Sequence, residues 1–306
     1  MISLDSEVID VPKDLNADQV DFFLHQGYLV VPDMIDVNEL DELKRDIIEV
    51  ARGRYPCDNI EPISDEVSDD EVIEKILCVH MPHYVSPLIE KYVKHPKICG
   101  ALSQLTGAHI PFWDGSVKCM QSMYFVKPPQ FQGQAWHQDE RFIPTRDRSL
   151  VGVWIALDDA TLDNGCLRVI PGSHKMGQLW PTRPHNETEE FDLSDESYGF
   201  SSDNEEIVEV NAGSAVFFNG YLLHRSLRNQ SDTSRRALVH HYMNAWSNLP
   251  WQIGADRLVD AATHDHRMIV PIAGDDPYPE RGIEASPNEV FIRPWGDEME
   301  WGNWDA

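Results

Sequence analysis

The chain has 306 residues, of which 42% are hydrophobic, and its formal net charge is -27 at pH 7. This length and composition are typical of one large globular core or two modest ones, and they exclude fibres, coiled coils and disordered chains. The acidic balance argues against a nucleic-acid partner and disfavours an acyl-CoA, because binding phosphates requires clustered Lys and Arg. We therefore expect a small-molecule substrate, neutral or cationic.

The sequence carries no sign of a membrane segment or of disulfide bonds. No run reaches the roughly 18 apolar residues of a membrane helix, and residues 1–5 lack the features of a signal peptide. The five cysteines are scattered and never spaced as CxxC, which indicates reduced thiols rather than disulfides or a thiolate zinc site. We expect a cytoplasmic protein without a membrane partner, and the oligomeric state stays open.

Helical patterns fill about residues 16–107. The start of each predicted helix is marked by a capping residue or a proline in the first turn: Asn16, Asp36, Ser86 and Pro96. Residues 58–72 are acidic and predict a solvated loop. The first two helices, capped by Asn16 and Asp36, are expected to pack against the rest of the protein and to carry no chemistry.

Short strand-like runs rich in β-branched and aromatic residues begin near residue 117 and are separated by turn signals. These runs are residues 119–126, 150–157, 166–170, 207–210, 214–218 and 236–243. Their number and spacing predict a β-sandwich or barrel, and helices that precede strands predict an α+β fold with one buttressed sheet. The expected single domain, residues 1–306, has a helical part at about 16–107, a β core at about 117–246 and an irregular extension at 247–306.

The sequence Trp136-His137-Gln138-Asp139 places an imidazole and a carboxylate two residues apart. An extended chain points both side chains to the same face at this spacing. His224 follows another strand-like run and can reach the pair if the two strands are neighbours. Two imidazoles and one carboxylate leave coordination positions open, which favours oxygen-activating iron(II) over structural zinc. Taken alone, the pair is also compatible with two solvated residues at a strand end.

The open coordination positions require a co-substrate, and 2-oxoglutarate can fill two of them with its keto and carboxylate oxygens. Its far carboxylate then needs a cation. Arg235 lies eleven residues beyond His224, so a hairpin would return its planar guanidinium toward the metal. Ser226 can donate a further hydrogen bond. The neighbouring arginines are better candidates for solvated side chains: Arg225, Arg228 and Arg236.

These residues and the motifs around them resemble the phytanoyl-CoA dioxygenase family of iron/2-oxoglutarate oxygenases. The resemblance is closer to the domain-containing branch of the family than to the peroxisomal enzyme, and it covers about residues 16–246. Besides the metal and co-substrate candidates, the matching segments are Gln121-Ser122-Met123-Tyr124, Gly152-Val153-Trp154-Ile155-Ala156, Asp158-Asp159-Ala160-Thr161, Asn164-Gly165-Cys166-Leu167 and Pro171-Gly172-Ser173-His174.

The resemblance implies a double-stranded β-helix, a jelly roll whose major sheet is backed by the amino-terminal helices. It assigns the iron ligands to His137, Asp139 and His224, and it assigns the far carboxylate of 2-oxoglutarate to Arg235 and Ser226. The other residues expected to contact the co-substrate or line its pocket are Trp154, Lys75, Met123 and Gln138.

The activity implied by the resemblance is hydroxylation of an unactivated C–H bond with Fe(II), 2-oxoglutarate and O2, which yields succinate and CO2. Ascorbate can serve as a reductant. Related halogenases have a small residue where Asp139 stands, so this carboxylate argues for hydroxylation, desaturation or ring closure. Two alternatives stay open: a non-catalytic protein that binds 2-oxoglutarate and metal, and a cupin-like metal enzyme that uses no keto acid.

Several other polar residues have a less defined expected role. His174 is expected to fix its turn by hydrogen bonding rather than to bind metal. His241 shares strand parity with Arg235 and is either a pocket residue or a core histidine. Contact with substrate is possible for His80, His83 and Gln121.

Overall fold

A computed structural model describes residues 11–247, 269–277 and 290–294 of the chain. Within these residues, two antiparallel sheets face each other and helices cover the outer face of the larger sheet. The predicted mainly β, α+β jelly roll with amino-terminal helices on the major sheet is therefore confirmed. The five cysteines are free thiols, as the sequence predicts.

The helices of the described chain are α1 (Ala17–Gln26), α2 (Val37–Ala51), α3 (Asp69–Glu74), α4 (Pro87–Val93) and α5 (Pro96–Leu105). The expected caps are present, since the side chains of Asn16 and Asp36 each form a capping box with the third helical residue. Helix α3 corrects the prediction of a loop over residues 58–72, because Ser68 and Glu71 form a capping box there. All of these helices fall short of the length and apolar character that crossing a bilayer requires.

The strands are β1 (Tyr28–Val31), β2 (Ile76–His80), β3 (Val117–Lys127), β4 (Gln134–His137), β5 (Val151–Ala156), β6 (Leu167–Val169), β7 (Thr182–Arg183), β8 (Glu196–Ser197), β9 (Glu206–Val208), β10 (Ala215–Asn219), β11 (His224–Ser226), β12 (Arg235–Asn244), β13 (Val270–Ala273) and β14 (Phe291–Pro294). The major sheet has the order β1-β10-β5-β12-β3-β2-β14, and β13 also pairs with β3. The minor sheet has the order β4-β11-β6-β9, and β7 pairs with β8.

Strands β13 and β14 lie within the carboxy-terminal segment that we expected to be irregular. Both pair in antiparallel register with strands of the major sheet, so the prediction is wrong for these residues. The short, proline-containing segments give little periodicity, and only the neighbouring strands reveal them as strands. Residues 248–268, 278–289 and 295–306 of this segment lie outside the described part of the chain.

Alternation along β12 divides its side chains between two hydrophobic cores. Leu238 and Tyr242 point toward the helices and join the larger core between helices and major sheet. Ala237 and Val239 point the other way, into the core between the two sheets. The inner faces of the sheets thus enclose the space in which the polar residues of the site are found.

Candidate active site

The predicted metal triad comes together at the junction of β4 and β11. His137 and His224 are directly opposite residues of these antiparallel strands, which brings their rings to a centroid distance of 4.1 Å. Asp139 Oδ1 lies 3.6 Å from the Nε2 atom of each histidine. Because one ligand atom from each residue lies within 4.8 Å of the others, a single metal ion can be held by all three.

Hydrogen bonds to the backbone orient both imidazoles toward that common point. His137 Nδ1–H donates to the Ala135 carbonyl at 2.8 Å, and His224 Nδ1–H donates to the Leu222 carbonyl at 3.0 Å. Each bond fixes the tautomer in which Nε2 carries a lone pair for metal. At both histidines, the Nδ1 atom bonds to the carbonyl of the residue two positions earlier in the chain.

His241 orients the carboxylate ligand. Its Nε2–H donates to Asp139 Oδ2 at 2.9 Å, which leaves Oδ1 directed toward the two histidines. The sequence left His241 open between a pocket residue and a core histidine, and the structure places it in the wall of the cavity. Its position on β12, six residues beyond Arg235 on the same face, accounts for this placement.

The electrostatic environment keeps the ligands in forms that bind metal. Burial, followed by the nearby His224, lowers the pKa of His137 to about 4 and leaves its imidazole neutral at neutral pH. Burial alone would raise the pKa of Asp139. The charge of His224 and the hydrogen bond from His241 outweigh burial and hold that pKa below its usual range.

The triad opens into a cavity of about 1000 Å³ between the sheets. Its walls combine aromatic and apolar side chains with a few polar groups, which is the usual composition of a small-molecule site. Among the predicted residues, the lining includes Trp154, Met123, Ser226 and Arg235 together with the triad.

Arg235 offers a carboxylate site at the inner end of this cavity. It is buried, its Nε and Nη1 atoms have no hydrogen-bond partner among the described residues, and its guanidinium lies 5.1 Å from the centre of the Trp154 ring. Burial lowers the pKa of Arg235 to about 10, so the group remains charged at neutral pH. A buried cation with two unused donors fits the far carboxylate of a keto acid.

Two predicted pocket residues lie elsewhere. Gln138 is buried, but its amide donates to the Gln178 and Tyr221 carbonyls at 2.9 and 2.7 Å. Its side-chain oxygen also accepts from the Trp180 N–H at 2.8 Å, so the residue ties loops together outside the cavity. Alternation explains this, since His137 and Asp139 share one face and Gln138 points to the other.

Lys75 is exposed at the carboxyl end of α3 and does not belong to the cavity wall. The expected contact between Lys75 and the co-substrate therefore has no support in the fold. The assignment of Lys75 to the pocket rested on the resemblance alone.

The histidines and glutamine considered for substrate contact separate into two groups. His80 and Gln121 line the cavity. His83 is a core residue whose Nδ1 hydrogen-bonds to Ser122 Oγ at 2.5 Å. His174 hydrogen-bonds through Nε2 to the Leu24 carbonyl at 3.1 Å and fixes its turn against α1.

The acidic segment 185–205 forms part of the cavity mouth. Its backbone forms two hydrogen bonds with Gly133. The Gly133 N–H donates to the Glu190 carbonyl at 2.7 Å, and the Asp192 N–H donates to the Gly133 carbonyl at 2.8 Å. A Cβ atom on Gly133 would lie 1.8 Å from the Ser226 carbonyl oxygen, so only glycine permits this close approach. Asp192 lines the cavity as a result.

Sequence reasoning missed several lining residues: Lys127, Asp192, Phe291 and Arg293. Strand parity could have identified Lys127, because it lies on the same face of β3 as Met123 and Phe125. No local pattern points to Phe291 and Arg293, which reach the cavity only because β14 pairs with β2.

The family model for phytanoyl-CoA dioxygenase (PhyH) matches residues 23–237 of the chain. The chain belongs to the phytanoyl-CoA dioxygenase family. A phytanoyl-CoA dioxygenase of Arabidopsis thaliana is 31% identical over 279 residues, which cover 79% of this chain and 94% of the relative. The phytanoyl-CoA dioxygenase domain-containing protein 1 of Danio rerio is 30% identical over 297 residues, covering 80% and 97%.

Solved structures share the fold at lower identity. The non-heme alpha ketoglutarate dependent carbocyclase SnoK from nogalamycin biosynthesis superposes with a TM-score of 0.62 at 21% identity, covering 87% of this chain and 99% of that chain. EctD from S. alaskensis with bound Fe superposes with a TM-score of 0.58 at 19% identity, covering 83% and 87%. The architecture of this family member is therefore shared with a non-heme alpha ketoglutarate dependent carbocyclase and with a protein solved with bound Fe.

Proposed function

We propose that the protein is an Fe(II)- and 2-oxoglutarate-dependent dioxygenase that hydroxylates an unactivated C–H bond of a small organic metabolite. The observation that carries the proposal is a single cavity that holds both a 2-His-1-carboxylate triad and the guanidinium of Arg235, whose Nε and Nη1 have no hydrogen-bond partner in the described part of the chain. Family membership supports the same chemistry. When bound, iron(II) with 2-oxoglutarate and O2 supplies the oxidation that replaces C–H with C–OH and yields succinate and CO2.

The protein residues prepare the site for this chemistry. His137, Asp139 and His224 hold the metal on one face and leave the cavity side open to ligands. Arg235 binds the far carboxylate of the keto acid through its unused donors, and Trp154 packs against the guanidinium. The keto-acid head is thereby oriented toward the metal ligands rather than toward solvent.

Asp139 and His241 bear on the reaction type. With a metal bound, the carboxylate of Asp139 would occupy a position that a halide would need, and the hydrogen bond from His241 holds that carboxylate in place. This arrangement supports hydroxylation over halogenation. Desaturation and ring closure remain alternative outcomes of the same hydrogen abstraction, and product analysis separates them from hydroxylation.

The charges in the cavity wall support a small metabolite rather than an acyl-CoA. Arg235 and Lys127 are buried at the co-substrate end, and Arg225 is bound by both carboxylate oxygens of Glu205 at 3.1 and 2.8 Å. Arg293 is the remaining arginine in the described lining, and it lies apart from any cluster of Lys and Arg in the sequence. The phosphates of coenzyme A need more positive charge than this, and the net charge of -27 opposes them further.

The proposal is tested by measuring succinate release from 2-oxoglutarate with Fe(II), ascorbate and O2 while a metabolite library is screened. The wild-type protein is expected to release succinate slowly alone and faster with its substrate, and the product is expected to gain one oxygen atom. Asp139→Ala is expected to abolish the reaction because the metal loses its carboxylate ligand. Lys75→Ala is the control, since this exposed residue lies outside the cavity and its variant should match the wild type.

Two outcomes would contradict the proposal in different ways. If 2-oxoglutarate changes the visible absorbance of the anaerobic Fe(II) protein but no condition releases succinate, the protein is a non-catalytic binder. If 2-oxoglutarate changes nothing, the metal serves a reaction without a keto acid. Full activity of Asp139→Ala would refute the ligand assignment itself.

A further inference from the structure

Lys127 is a buried lysine in the wall of the cavity, and neither the metal triad nor the carboxylate anchor accounts for it. It ends β3 directly opposite Arg235 on β12, so two buried cations face each other across one strand pair. Burial, followed by the nearby charge of Arg235, holds the pKa of Lys127 well below its ordinary range. A bound anion at this point would offset the repulsion between the two cations.

The ammonium group of Lys127 is held by two oxygen atoms. Lys127 Nζ donates to Ser226 Oγ at 2.8 Å and to the Leu227 carbonyl at 2.6 Å. Both acceptors belong to the segment that leads out of β11, two and three residues after the metal ligand His224. Lys127 therefore connects β3, the neighbour of the Arg235 strand, with the strand of His224.

These contacts determine what the Ser226 hydroxyl can do. A hydroxyl has two acceptor positions and one hydrogen to donate. Ser226 Oγ accepts from Lys127 Nζ and, at 3.4 Å, from the Gln134 N–H. Its own hydrogen has no acceptor among the described residues, and Ser226 lines the cavity. With both acceptor positions used, the hydroxyl is left with a hydrogen to donate to a ligand.

We propose that Lys127 is a positioning residue of the 2-oxoglutarate site: its bond to Ser226 leaves that hydroxyl with a hydrogen to donate, and a bound carboxylate favours a second positive charge on Lys127 beside Arg235. The inference rests on the proposed function, because the ligand that it concerns is the far carboxylate of the keto acid. Arg235 and Ser226 contact that carboxylate, and Lys127 acts largely through Ser226. A lysine that served only to join two strands would have no reason to leave the hydroxyl hydrogen available.

The test measures affinity rather than turnover. Each protein is loaded with Fe(II) without oxygen, and the visible absorbance that appears when a keto acid binds is titrated with 2-oxoglutarate. A second titration uses 2-oxobutanoate, which keeps the keto-acid head but lacks the far carboxylate. Lys127→Met is compared with the wild type, with Ser226→Ala and with the double variant.

Lys127→Met is expected to weaken 2-oxoglutarate binding by about 10- to 100-fold, the usual cost of losing a charge-assisted hydrogen bond. Binding of 2-oxobutanoate is expected to stay at the wild-type level, because the metal end of the site is unchanged. In the Ser226→Ala background, Lys127→Met is expected to cause a several-fold smaller loss, since the hydroxyl through which it acts is already gone. If Lys127→Met fails to fold, Lys127→Leu, which also lacks both the charge and a donor, is expected to show the same selective loss.

Three results would overturn the inference while leaving the proposed function intact. They are unchanged 2-oxoglutarate affinity in Lys127→Met, equal losses for the two keto acids, and fully additive losses in the double variant. Equal losses would mean that the lysine only supports the fold. A wild-type protein that shows no absorbance change with 2-oxoglutarate would instead refute the proposed function, and this inference with it.

Discussion

Two adjacent arginines of β12 are expected to respond to the same substitution in opposite ways. Arg235 points into the cavity without a described partner, whereas Arg236 points outward and binds Asp158 through Nε and Nη2, both at 2.7 Å. We predict that Arg235→Met makes the metal-free protein more stable and abolishes tight binding of 2-oxoglutarate. Arg236→Met is the matched control, with the same change in charge and volume one residue away.

The expected change in the free energy of unfolding for Arg235→Met follows from the burial of Arg235. Burial lowers the pKa of Arg235 from 12.5 to about 10. Since each pKa unit corresponds to about 1.4 kcal/mol, keeping the guanidinium charged inside the empty cavity costs about 3 kcal/mol. Methionine removes that cost but also the contact with Trp154, which contributes about 0.5 to 2 kcal/mol. The free energy of unfolding is therefore expected to rise by about 1 to 3 kcal/mol.

The two arginines also differ in their expected effect on the co-substrate. Removing one partner of a buried, hydrogen-bonded charge pair costs about 2 to 5 kcal/mol, so Arg235→Met should weaken 2-oxoglutarate binding by at least about 30-fold. Arg236→Met should leave that affinity unchanged. It should lower the free energy of unfolding by about 1 to 3 kcal/mol, because Asp158 loses its charge-assisted hydrogen bonds.

Stability is measured by urea unfolding of the metal-free proteins at pH 7, and affinity by anaerobic absorbance titration with 2-oxoglutarate. The reasoning would be refuted if Arg235→Met lost as much stability as Arg236→Met. It would also be refuted if both variants bound 2-oxoglutarate equally well.

Two further predictions concern residues around the metal ligands. His241→Ala should weaken Fe(II) binding by about 10- to 100-fold, because Asp139 loses the hydrogen bond that fixes its orientation; a metal titration equal to the wild type would contradict this. Burial raises the pKa of Glu140 to about 7, although the hydrogen bonds from Thr145 oppose this shift. Glu140 therefore keeps its proton up to a higher pH in the folded protein than in the unfolded chain. The contribution of Glu140 to stability thus falls between about pH 4.5 and 7, so the stability of the wild type relative to that of Glu140→Gln should drop by up to about 3 kcal/mol over this range in urea unfolding of the metal-free protein. Identical pH profiles for the variant and the wild type would exclude this role.

Spacing along the chain was sufficient to predict the residues that share a strand face. His137 and Asp139 are two residues apart, and the structure brings both together with His224 in a group that could hold one metal ion. The same rule, applied consistently, would have removed Gln138 from the pocket, because the residue between two inward side chains points outward. Local periodicity thus carried correct information about the orientation of Gln138 that the motif match obscured.

The sequence could not predict the partners of residues that depend on pairings between distant strands. Lys127 looks like an ordinary lysine at a strand end until β3 pairs with β12 and β11 closes over it. Phe291 and Arg293 enter the cavity from a segment without periodicity, because β14 adds to the edge of the major sheet. Lys75 is the opposite case. The resemblance assigned this residue to the pocket, but the fold places it outside the cavity wall.

The sequence alone determined the type of chemistry, because the identity and spacing of the ligands reflect the local geometry of an extended chain. It also determined the mainly β fold with helices first, since hydrophobic periodicity is a local property. Only the tertiary structure decided which charged groups are buried without partners and which side chains surround the cavity. Burial and unpaired donors arise from contacts between residues far apart in the chain, and no local pattern records them.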